Sequence, residues 1–210
     1  MITCKWTKGR FGNQLFQIAG VIGTAVKAKQ TFGFPAWSYQ KYFVNPLPAV
    51  TGKHADIKVL SDYRNFNHCK AIIKYYFRMH SIKEPPANTV FIHFRAYSDE
   101  RLAHIHPEQS GEYYREAIKH FKGKNFIIFT DNVSKAKKVI GEDFIYRRGG
   151  EMEDFYMMSR CEGGIISNST FSWWAGWLCG GKVVAPSNWF AGRKKDRDTS
   201  GYYLPDWIKI

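Results

Sequence analysis

From residue 90 onward, short apolar runs alternate with amphipathic segments, and this alternation restricts the fold more than any other feature. The runs are rich in β-branched and aromatic residues, as buried strands are, and they lie at 90–94, 126–129, 144–147, 164–167 and 182–186. Helical patterns lie between them at 112–121, 134–140, 153–161 and 171–179. Strands and helices in this order predict an α/β protein with a parallel, doubly wound sheet.

The chain opens with a separate strand–turn–helix unit. Residues 1–6 are typical of a strand, and from Leu15 apolar residues recur at the spacing of one helical face. The predicted turn is polar and contains Gly9, Arg10, Gly12, Asn13 and Gln14. Its glycines allow a tight bend or the close approach of a ligand, and free N–H groups at a helix start favour an anion. An ordinary loop, in which the glycines have no role in ligand binding, explains them equally well.

A proline-containing segment divides the chain into two predicted lobes. A strand is predicted near 56–60 and a helix near 70–80, and residues 84–88, with the sequence EPPAN, then interrupt regular structure. We therefore expect an N-terminal, acceptor-side lobe at 1–85 and a C-terminal, nucleotide-binding lobe at 86–210. Two α/β lobes facing a cleft are the expected architecture.

The basic charge of the protein is concentrated in the first lobe. The net charge is +13, and Lys plus Arg minus Asp plus Glu gives 13 − 3 = +10 for residues 1–85 and 18 − 15 = +3 for residues 86–210. This bias favours an anionic partner, which could be nucleic acid, an acidic glycan or a membrane surface. A solvated, lysine-rich surface that aids solubility is the simpler interpretation.

The cysteines and the apolar runs indicate the compartment. Cys4, Cys69, Cys161 and Cys179 are scattered, without CxxC pairing or the spacing of a zinc site. No apolar run reaches the length of a membrane span, and the first residues lack the apolar core of a signal peptide. We expect reduced, buried cysteines and a cytoplasmic protein.

Polar residues follow the predicted strands at the edge where such sheets bind ligands. Arg95 follows the first strand of the second lobe, Asp131 follows the second, and Ser169 and Thr170 form the strand-to-helix turn after the fourth. The two hydroxyls can cap the helix or hold a phosphate, and a guanidinium recognises phosphate with a fork of donors. Asp131 suits a base edge or a ribose hydroxyl, or it caps the next helix. Together these residues predict a nucleotide site.

Four motifs carry a resemblance to a known family. GRFGNQLFQIAG (9–20), HFR (93–95) followed by Asp99, FTDN (129–132) and ISNSTFSWWAGWL (166–178) resemble, in the same order, the motifs of the alpha-1,2-fucosyltransferases, glycosyltransferase family 11. That family lies within the alpha-1,2, alpha-1,6 and protein O-fucosyltransferase superfamily. HPEQSGEYYREAI (106–118) and VVAPSNWF (183–190) are also similar to family segments, so the resemblance covers nearly all of residues 2–190.

The resemblance implies a GT-B fold of two Rossmann-like lobes with a reduced first lobe. It also implies inverting, metal-independent transfer of L-fucose from GDP-L-fucose to a hydroxyl of a glycan acceptor, with no cofactor. Arg95 would hold the β-phosphate and stabilise GDP as it leaves. The other residues implied at the donor site are Arg10, Gly12, Asn13, His93, Asp131, Asn168, Ser169, Thr170 and Phe171. In this assignment Asp131 binds the guanosine, and the Ser169–Thr170 turn binds phosphate oxygens.

The loop after the first strand departs from the family pattern HxRRxD. It reads HFRAYSD, so Ala96 replaces the second arginine and Asp99 comes one residue later, a spacing more similar to the protein O-fucosyltransferases. The general base is expected in this loop, which offers Asp99, Glu100, His104 and His106, and Asp99 is our choice. The DxD at 196–198 lies in a polar, lysine-rich tail and predicts a surface loop rather than a metal site.

Three hypotheses remain open from the sequence. The first is a fucosyltransferase, or a transferase that uses another GDP-sugar such as GDP-rhamnose. The second is a basic nucleic-acid-binding protein, which would use the charge and the aromatic residues of the first lobe. The third is a relative that binds glycan without catalysis. The same aromatic residues could instead stack on sugar rings or fill a core.

Overall fold

The structure is a computed structural model that describes residues 1–6, 9–59, 61–97 and 103–210. The chain forms two compact units. The first comprises Met1–Ser81 together with Ser200–Tyr202, and the second comprises Ile82–Thr199 together with Tyr203–Ile210. The first unit therefore ends at Ser81, whereas the sequence analysis placed the end of the first lobe at residue 85.

The first unit contains one long helix and several short elements. The helix is α1 (Phe11–Lys27), and the other elements are the parallel strands β1 (Ile2–Thr3) and β2 (Ala55–Asp56), helix α2 (Lys70–Tyr76) and 3₁₀ turns at Gln40–Tyr42, Tyr63–Asn65 and Asn67–Cys69. Most of α1 is buried because apolar side chains occur all round it. Within the described ranges, no helix has the length and apolar character needed to cross a membrane.

The sequence analysis was wrong about where α1 begins. The first helical residue is Phe11, so Gly12, Asn13 and Gln14 lie in the first turn of the helix rather than in a loop before it. The backbone N–H groups of Asn13 and Gln14 donate to the Arg10 carbonyl at 2.9 and 3.2 Å. The polar residues of the predicted turn therefore belong to the amino end of the helix itself.

The other predictions for the first unit need smaller corrections. The strand predicted near 56–60 is only the two-residue β2, which begins at Ala55. The helix predicted near 70–80 ends at Tyr76, and the following residues bridge to an extended segment through Phe43 and Met79. Both shortened elements lie in a unit whose sequence has few long segments of periodic apolar residues, so their ends are poorly defined by pattern.

The second unit is a parallel six-stranded sheet with interleaved helices. Its strands are β3 (Thr89–Phe94), β4 (Asn125–Thr130), β5 (Ile145–Arg147), β6 (Gly163–Ile165), β7 (Lys182–Ala185) and β8 (Ile208–Lys209). Its helices include α3 (Gly111–Lys119), α4 (Val133–Ile140), α5 (Glu151–Arg160) and α6 (Thr170–Cys179). The predicted parallel α/β sheet is confirmed, and β8 is added to its five predicted strands.

The order of the strands creates a defined binding edge. The sheet runs β5-β4-β3-β6-β7-β8, and every neighbouring pair is parallel. The chain therefore builds outward from β3 to β5, returns to β6 beside β3, and builds outward again to β8. The order reverses between β3 and β6, and the carboxyl ends at such a reversal form the crevice in which doubly wound sheets bind ligands.

The pairing of the two central strands depends on a glycine. Phe91 of β3 lies opposite Gly164 of β6. A Cβ atom on Gly164 would lie 2.2 Å from the Phe91 ring, closer than any real contact. Glycine at this position therefore lets β6 approach β3, and it thereby brings together the two strand ends that flank the crevice.

All four cysteines are free thiols. Cys4, Cys69 and Cys161 are buried, and Cys179 is half-buried. Burial is the main cause that raises the pKa of Cys4 to about 11 and that of Cys161 to about 12. These two thiols are therefore protonated near neutral pH, as structural cysteines are.

Candidate active site

Arg95 and Asp131 lie side by side at the carboxyl ends of β3 and β4. Nη1 of Arg95 donates to Oδ2 of Asp131 in a direct ion pair, and the backbone N–H of Ala96 donates to Oδ1 at 3.0 Å. The Arg95 guanidinium also lies 5.4 Å from the centre of the Tyr97 ring. The carboxylate thus holds both the arginine side chain and the start of the loop after β3.

Asp131 does not cap the helix that follows it. The cap of α4 is Asn132, whose side chain accepts from the backbone N–H of Lys135 at 3.0 Å. Of the roles that the sequence left open for Asp131, capping is therefore ruled out. Its carboxylate is directed to Arg95 and Ala96 instead.

The turn after β6 begins helix α6. Ser169 is the residue before the helix, its Oγ accepts from the backbone N–H of Phe171 at 3.3 Å, and its carbonyl accepts from Trp173 at 3.0 Å. The capping role of Ser169 is confirmed. Thr170 is the first helical residue and is half-buried. Capping uses the hydroxyl oxygen as an acceptor, so the hydroxyl proton and the N–H groups of the first turn other than that of Phe171 can still serve an anion.

Asn168 is the residue that holds this turn in place. It is buried, its Nδ2 donates to the carbonyls of Asn188 and Trp189 at 2.7 and 2.8 Å, and its Oδ1 accepts from Gln109 at 2.5 Å. The Tyr97 hydroxyl donates to its carbonyl oxygen at 2.6 Å. The side chain predicted to bind the donor is thus committed to three protein partners. Gln109 and Tyr97 were given no role from the sequence, although Gln109 lies in the HPEQ segment.

His93 lies within the sheet beside the same turn. The residue is 6% exposed, and Nδ1 is 2.7 Å from the hydroxyl oxygen of Ser167. The ring centre is 5.8 Å from that of Phe171, which also packs against Phe155 at 5.3 Å. The hydrogen bond to Ser167, a residue without a predicted role, fixes the plane of the imidazole.

The remaining predicted donor residues belong to the first unit. Arg10 directly precedes α1, Gly12 is buried in its first turn, and Asn13 is half-buried. A Cβ atom on Gly9 would lie 2.8 Å from Cβ of Asn13, so glycine there permits a close approach of the loop to the helix. Arg10, Gly12 and Asn13 thus surround a helix amino end, where an anion is favoured.

The candidates for the general base differ in what the structure records. Asp99 and Glu100 lie outside the described residues. His104 is exposed, whereas His106 is half-buried, with its ring 5.5 Å from Tyr97 and 5.2 Å from Phe190. Burial, assisted by the charge of Lys194, lowers the pKa of His106 to about 4. Such an imidazole is neutral near pH 7 but is a weak base.

The described residues show no obvious metal site. No group of three His, Cys, Asp or Glu side chains in this part of the chain is arranged to hold a metal ion. Asp196 and Asp198 of the DxD are both exposed. Metal independence itself stays a prediction.

The comparison with known proteins decides the family. The sequence profile of glycosyl transferase family 11 matches residues 77–210, which include β3, β4, β6 and their carboxyl ends. The chain belongs to glycosyl transferase family 11. The match covers the second unit and the last residues of the first. The predicted family is therefore confirmed.

Individual relatives are similar over part of their length. An O-antigen biosynthesis glycosyltransferase, WbnK, from Escherichia coli is 30% identical over 140 residues, which cover 59% of this chain and 45% of the relative. An alpha-1,2-colitosyltransferase from Escherichia coli is 32% identical over 143 residues, 59% of this chain and 48% of the relative. The galactoside 2-alpha-L-fucosyltransferase SEC1 of Bos taurus is 24% identical over 112 residues, 47% of this chain and 30% of the relative. The matched part thus spans less than half of each relative.

Proposed function

We propose that the protein is an inverting glycosyltransferase that moves L-fucose from GDP-L-fucose to a hydroxyl of a glycan, in an alpha-1,2 linkage and without a metal. The observation that carries the proposal is the placement of Arg95 and the amino end of α6 on the two strands that flank the reversal in strand order. A guanidinium and a helix amino end at such a crevice suit a diphosphate. Membership of family 11 supports sugar transfer.

The proposed chemistry is a single displacement. The acceptor oxygen forms a bond to C1 of fucose while the bond from C1 to the β-phosphate oxygen breaks, and GDP leaves with the electron pair. Negative charge grows on the β-phosphate, where Arg95 and the N–H groups at the start of α6 stabilise it. The acceptor proton passes to a base, for which Asp99 stays our prediction.

Asp131 has the geometry of a positioning residue in this proposal. A guanidinium carries five N–H donors, so Arg95 can bond to Asp131 and to a phosphate at the same time. The second oxygen of Asp131 holds the Ala96 N–H and hence the loop. Recognition of guanosine by Asp131, and contacts of Arg10, Gly12 and Asn13 with the donor, stay predictions.

Calorimetric titration of the unmodified protein and of Arg95→Ala with GDP and ADP, without added metal, tests the donor site. We expect the unmodified protein to prefer GDP and the variant to bind it at least about tenfold more weakly, because a charge-assisted phosphate contact is lost. Arg115→Ala, which removes an exposed arginine of α3, is the matched control and should bind normally. Failure of the unmodified protein to bind any guanine nucleotide would falsify the proposal.

Product analysis then tests transfer. Incubation with GDP-L-fucose and galactosides should yield a product whose anomeric configuration is opposite to that of the donor. GDP-rhamnose is the alternative donor from the sequence, and the name of one relative adds a colitosyl donor. Competition between GDP-L-fucose and these alternative donors identifies the sugar. Turnover that requires a divalent cation would contradict the metal-independent mechanism.

The nucleic-acid hypothesis receives less support from the structure. Phe34, Trp37 and Phe43 are buried, and the Trp37 ring lies 5.0 Å from Phe43 and 5.9 Å from Tyr39. These aromatic residues fill the core of the first unit rather than forming an exposed platform for bases. The basic charge of that unit therefore needs another explanation.

A further inference from the structure

The first unit carries far more positive charge than its own acidic residues can balance. Residues 1–81 and 200–202 contain twelve Lys and Arg and two acidic residues, so the unit has a net charge of 12 − 2 = +10. The two carboxylates are already paired, Asp56 with Lys5 at 3.5 Å and Asp62 with Arg64 at 2.6 Å. These two pairs involve only two of the twelve basic residues, so the positive charge of the unit is not balanced by its own carboxylates.

Helix α2 exposes apolar side chains next to lysines. Ile73 is fully buried beneath it, whereas Ile72 and Tyr75, three residues apart on the opposite side, are 37% and 58% exposed. Lys70 and Lys74, four residues apart, are exposed along the flank of these apolar side chains. An apolar strip beside a cationic strip is the pattern of a surface that meets an anionic, partly apolar partner.

The patch continues from α2 onto the neighbouring extended segment. The Val44 N–H donates to the carbonyl of Arg78 at 2.8 Å, and Asn45 Nδ2 donates to the carbonyl of Tyr75 at 2.6 Å. Val44 is 38% exposed, and Arg78 is also exposed. We call the six exposed side chains the α2 patch: Val44, Ile72, Tyr75, Lys70, Lys74 and Arg78.

We propose that the α2 patch docks the protein on an anionic lipid bilayer. Ile72, Tyr75 and Val44 enter the headgroup layer, where an amphipathic tyrosine is favoured, and the three cations bind lipid phosphates. The bonds that the Val44 backbone and the Asn45 side chain donate to the carbonyls of Arg78 and Tyr75 join the two segments of the patch. This inference does not depend on the proposed sugar transfer.

Co-sedimentation with vesicles tests the proposal on the whole chain. Vesicles of phosphatidylcholine with phosphatidylglycerol should bind the protein at low salt, and phosphatidylcholine vesicles should bind it much less. Lys70→Gln/Lys74→Gln should lower the partition coefficient on the order of tenfold, since each surface cation contributes to binding. Ile72→Ser/Tyr75→Ser should lower it by a similar factor, because apolar area no longer enters the bilayer.

The matched control is Lys53→Gln/Lys58→Gln, which removes the same charge from other exposed positions of the first unit. It should keep most of the vesicle binding, and circular dichroism of every variant verifies folding. Equal loss in the control would overturn the proposal, because binding would then follow net charge alone. Equal binding to neutral vesicles, or none to anionic ones, would overturn it as well.

Two further measurements identify the other possible occupants. Light scattering across a concentration series would detect a dimer formed through the α2 patch, and the Ile72→Ser/Tyr75→Ser variant would then be a monomer. Fluorescence anisotropy with random oligonucleotides would show nucleic acid, as salt-dependent binding that the lysine variant loses. Either result together with absent vesicle binding rejects the bilayer.

Discussion

At the scale of single residues, Arg95 and Asp131 were both predicted at the carboxyl edge of the sheet, and they lie side by side there. Arg95 and Asp131 were each expected to meet a nucleotide, and the structure shows them bonded to each other. An arginine at a sheet edge needs an orienting anion before it can bind a phosphate in a fixed geometry. Asp131 can therefore either orient Arg95 or recognise the guanine base, and an experiment can distinguish these two roles.

Asp131→Asn separates orientation from base recognition. If Asp131 orients Arg95, the affinity for GDP and that for ADP should fall by the same factor, roughly tenfold to a hundredfold, because a charge-assisted bond is lost. If it reads the guanine, GDP binding should fall to the level of ADP while ADP is unaffected. Calorimetry with both nucleotides measures this, and Asp143→Asn, at an exposed position, is the control. We expect the equal loss.

His106 should make stability depend on pH. Its pKa is lowered from 6.5 to about 4 by burial, so between these values the unfolded chain binds a proton that the folded chain does not. Folding stability is therefore fully present above about pH 6.5 and decreases as the pH falls toward about 4. The ring is partly exposed, so we expect a loss of only about 1–2 kcal/mol.

Replacement of His106 with phenylalanine should remove this pH dependence while keeping the aromatic contacts with Tyr97 and Phe190. Denaturant unfolding across this pH range gives the free energies of unfolding of both proteins. His120→Phe, at an exposed position, should behave like the unmodified protein. An unchanged slope in His106→Phe would show that another group causes the pH dependence.

The sequence could predict the chemistry of the site only where neighbours in the chain also meet in space. Ser169 and Phe171 are two residues apart, and their capping bond follows from local pattern. Asn168 meets Gln109 and the carbonyl of Trp189 across long stretches of chain. Nothing in a single sequence indicates such a partner set, and the donor-binding role of Asn168 stays a prediction.

At the scale of elements, the turn before α6 is held from three directions. Tyr97 comes from the loop after β3, Gln109 precedes α3, and Asn188 and Trp189 follow β7. All of these groups bond to Asn168, which directly precedes the helix cap. The amino end of α6 is therefore positioned by side chains that need not touch a donor themselves.

Gln109→Ala tests this support. The buried Oδ1 of Asn168 would lose its donor, and we expect the free energy of unfolding to fall by about 1–3 kcal/mol. GDP affinity should fall as well, because the turn is no longer fixed. Denaturant unfolding and calorimetry on the same preparations separate the two effects, with exposed Gln30→Ala as the control. Unchanged GDP affinity in a destabilised variant would remove the turn from the donor site.

Element prediction succeeded for the five strands of the second unit that have clear apolar runs, and it was less accurate for β8 and for the start of α1. The β3 and β4 runs contain strings of β-branched and aromatic residues, and both strands form as predicted. β8 has only two residues, Ile208 and Lys209, and its place is set by pairing with β7 rather than by local pattern. The start of α1 was missed because Gly12 was interpreted as a loop residue, although buried Phe11 already belongs to the apolar face.

At the scale of the whole molecule, composition predicted the charge asymmetry but not its consequence. The first unit carries +10 and the second 19 − 16 = +3, so crowded cations are a property of one unit. The family profile covers mainly the second unit, where the donor chemistry is proposed. The first unit therefore combines low sequence regularity with an excess of like charge, which opposes the compact state.

Salt should stabilise the first unit more than the second. Repulsion among its twelve basic residues opposes the compact state, and salt screens this repulsion over about a Debye length. The slowly exchanging amides of α1 should therefore exchange about fivefold more slowly at physiological ionic strength than at very low salt. Hydrogen–deuterium exchange measures this unit by unit, with amides of β3 and β4 as the internal reference. Sucrose is the control for non-electrostatic stabilisation, because it should slow both units alike. Equal effects of salt on both units, or faster exchange in α1 when salt is added, would contradict this prediction. Either result would mean that the charges of the first unit are already neutralised in the folded chain. An anionic bilayer would then attract this unit only weakly.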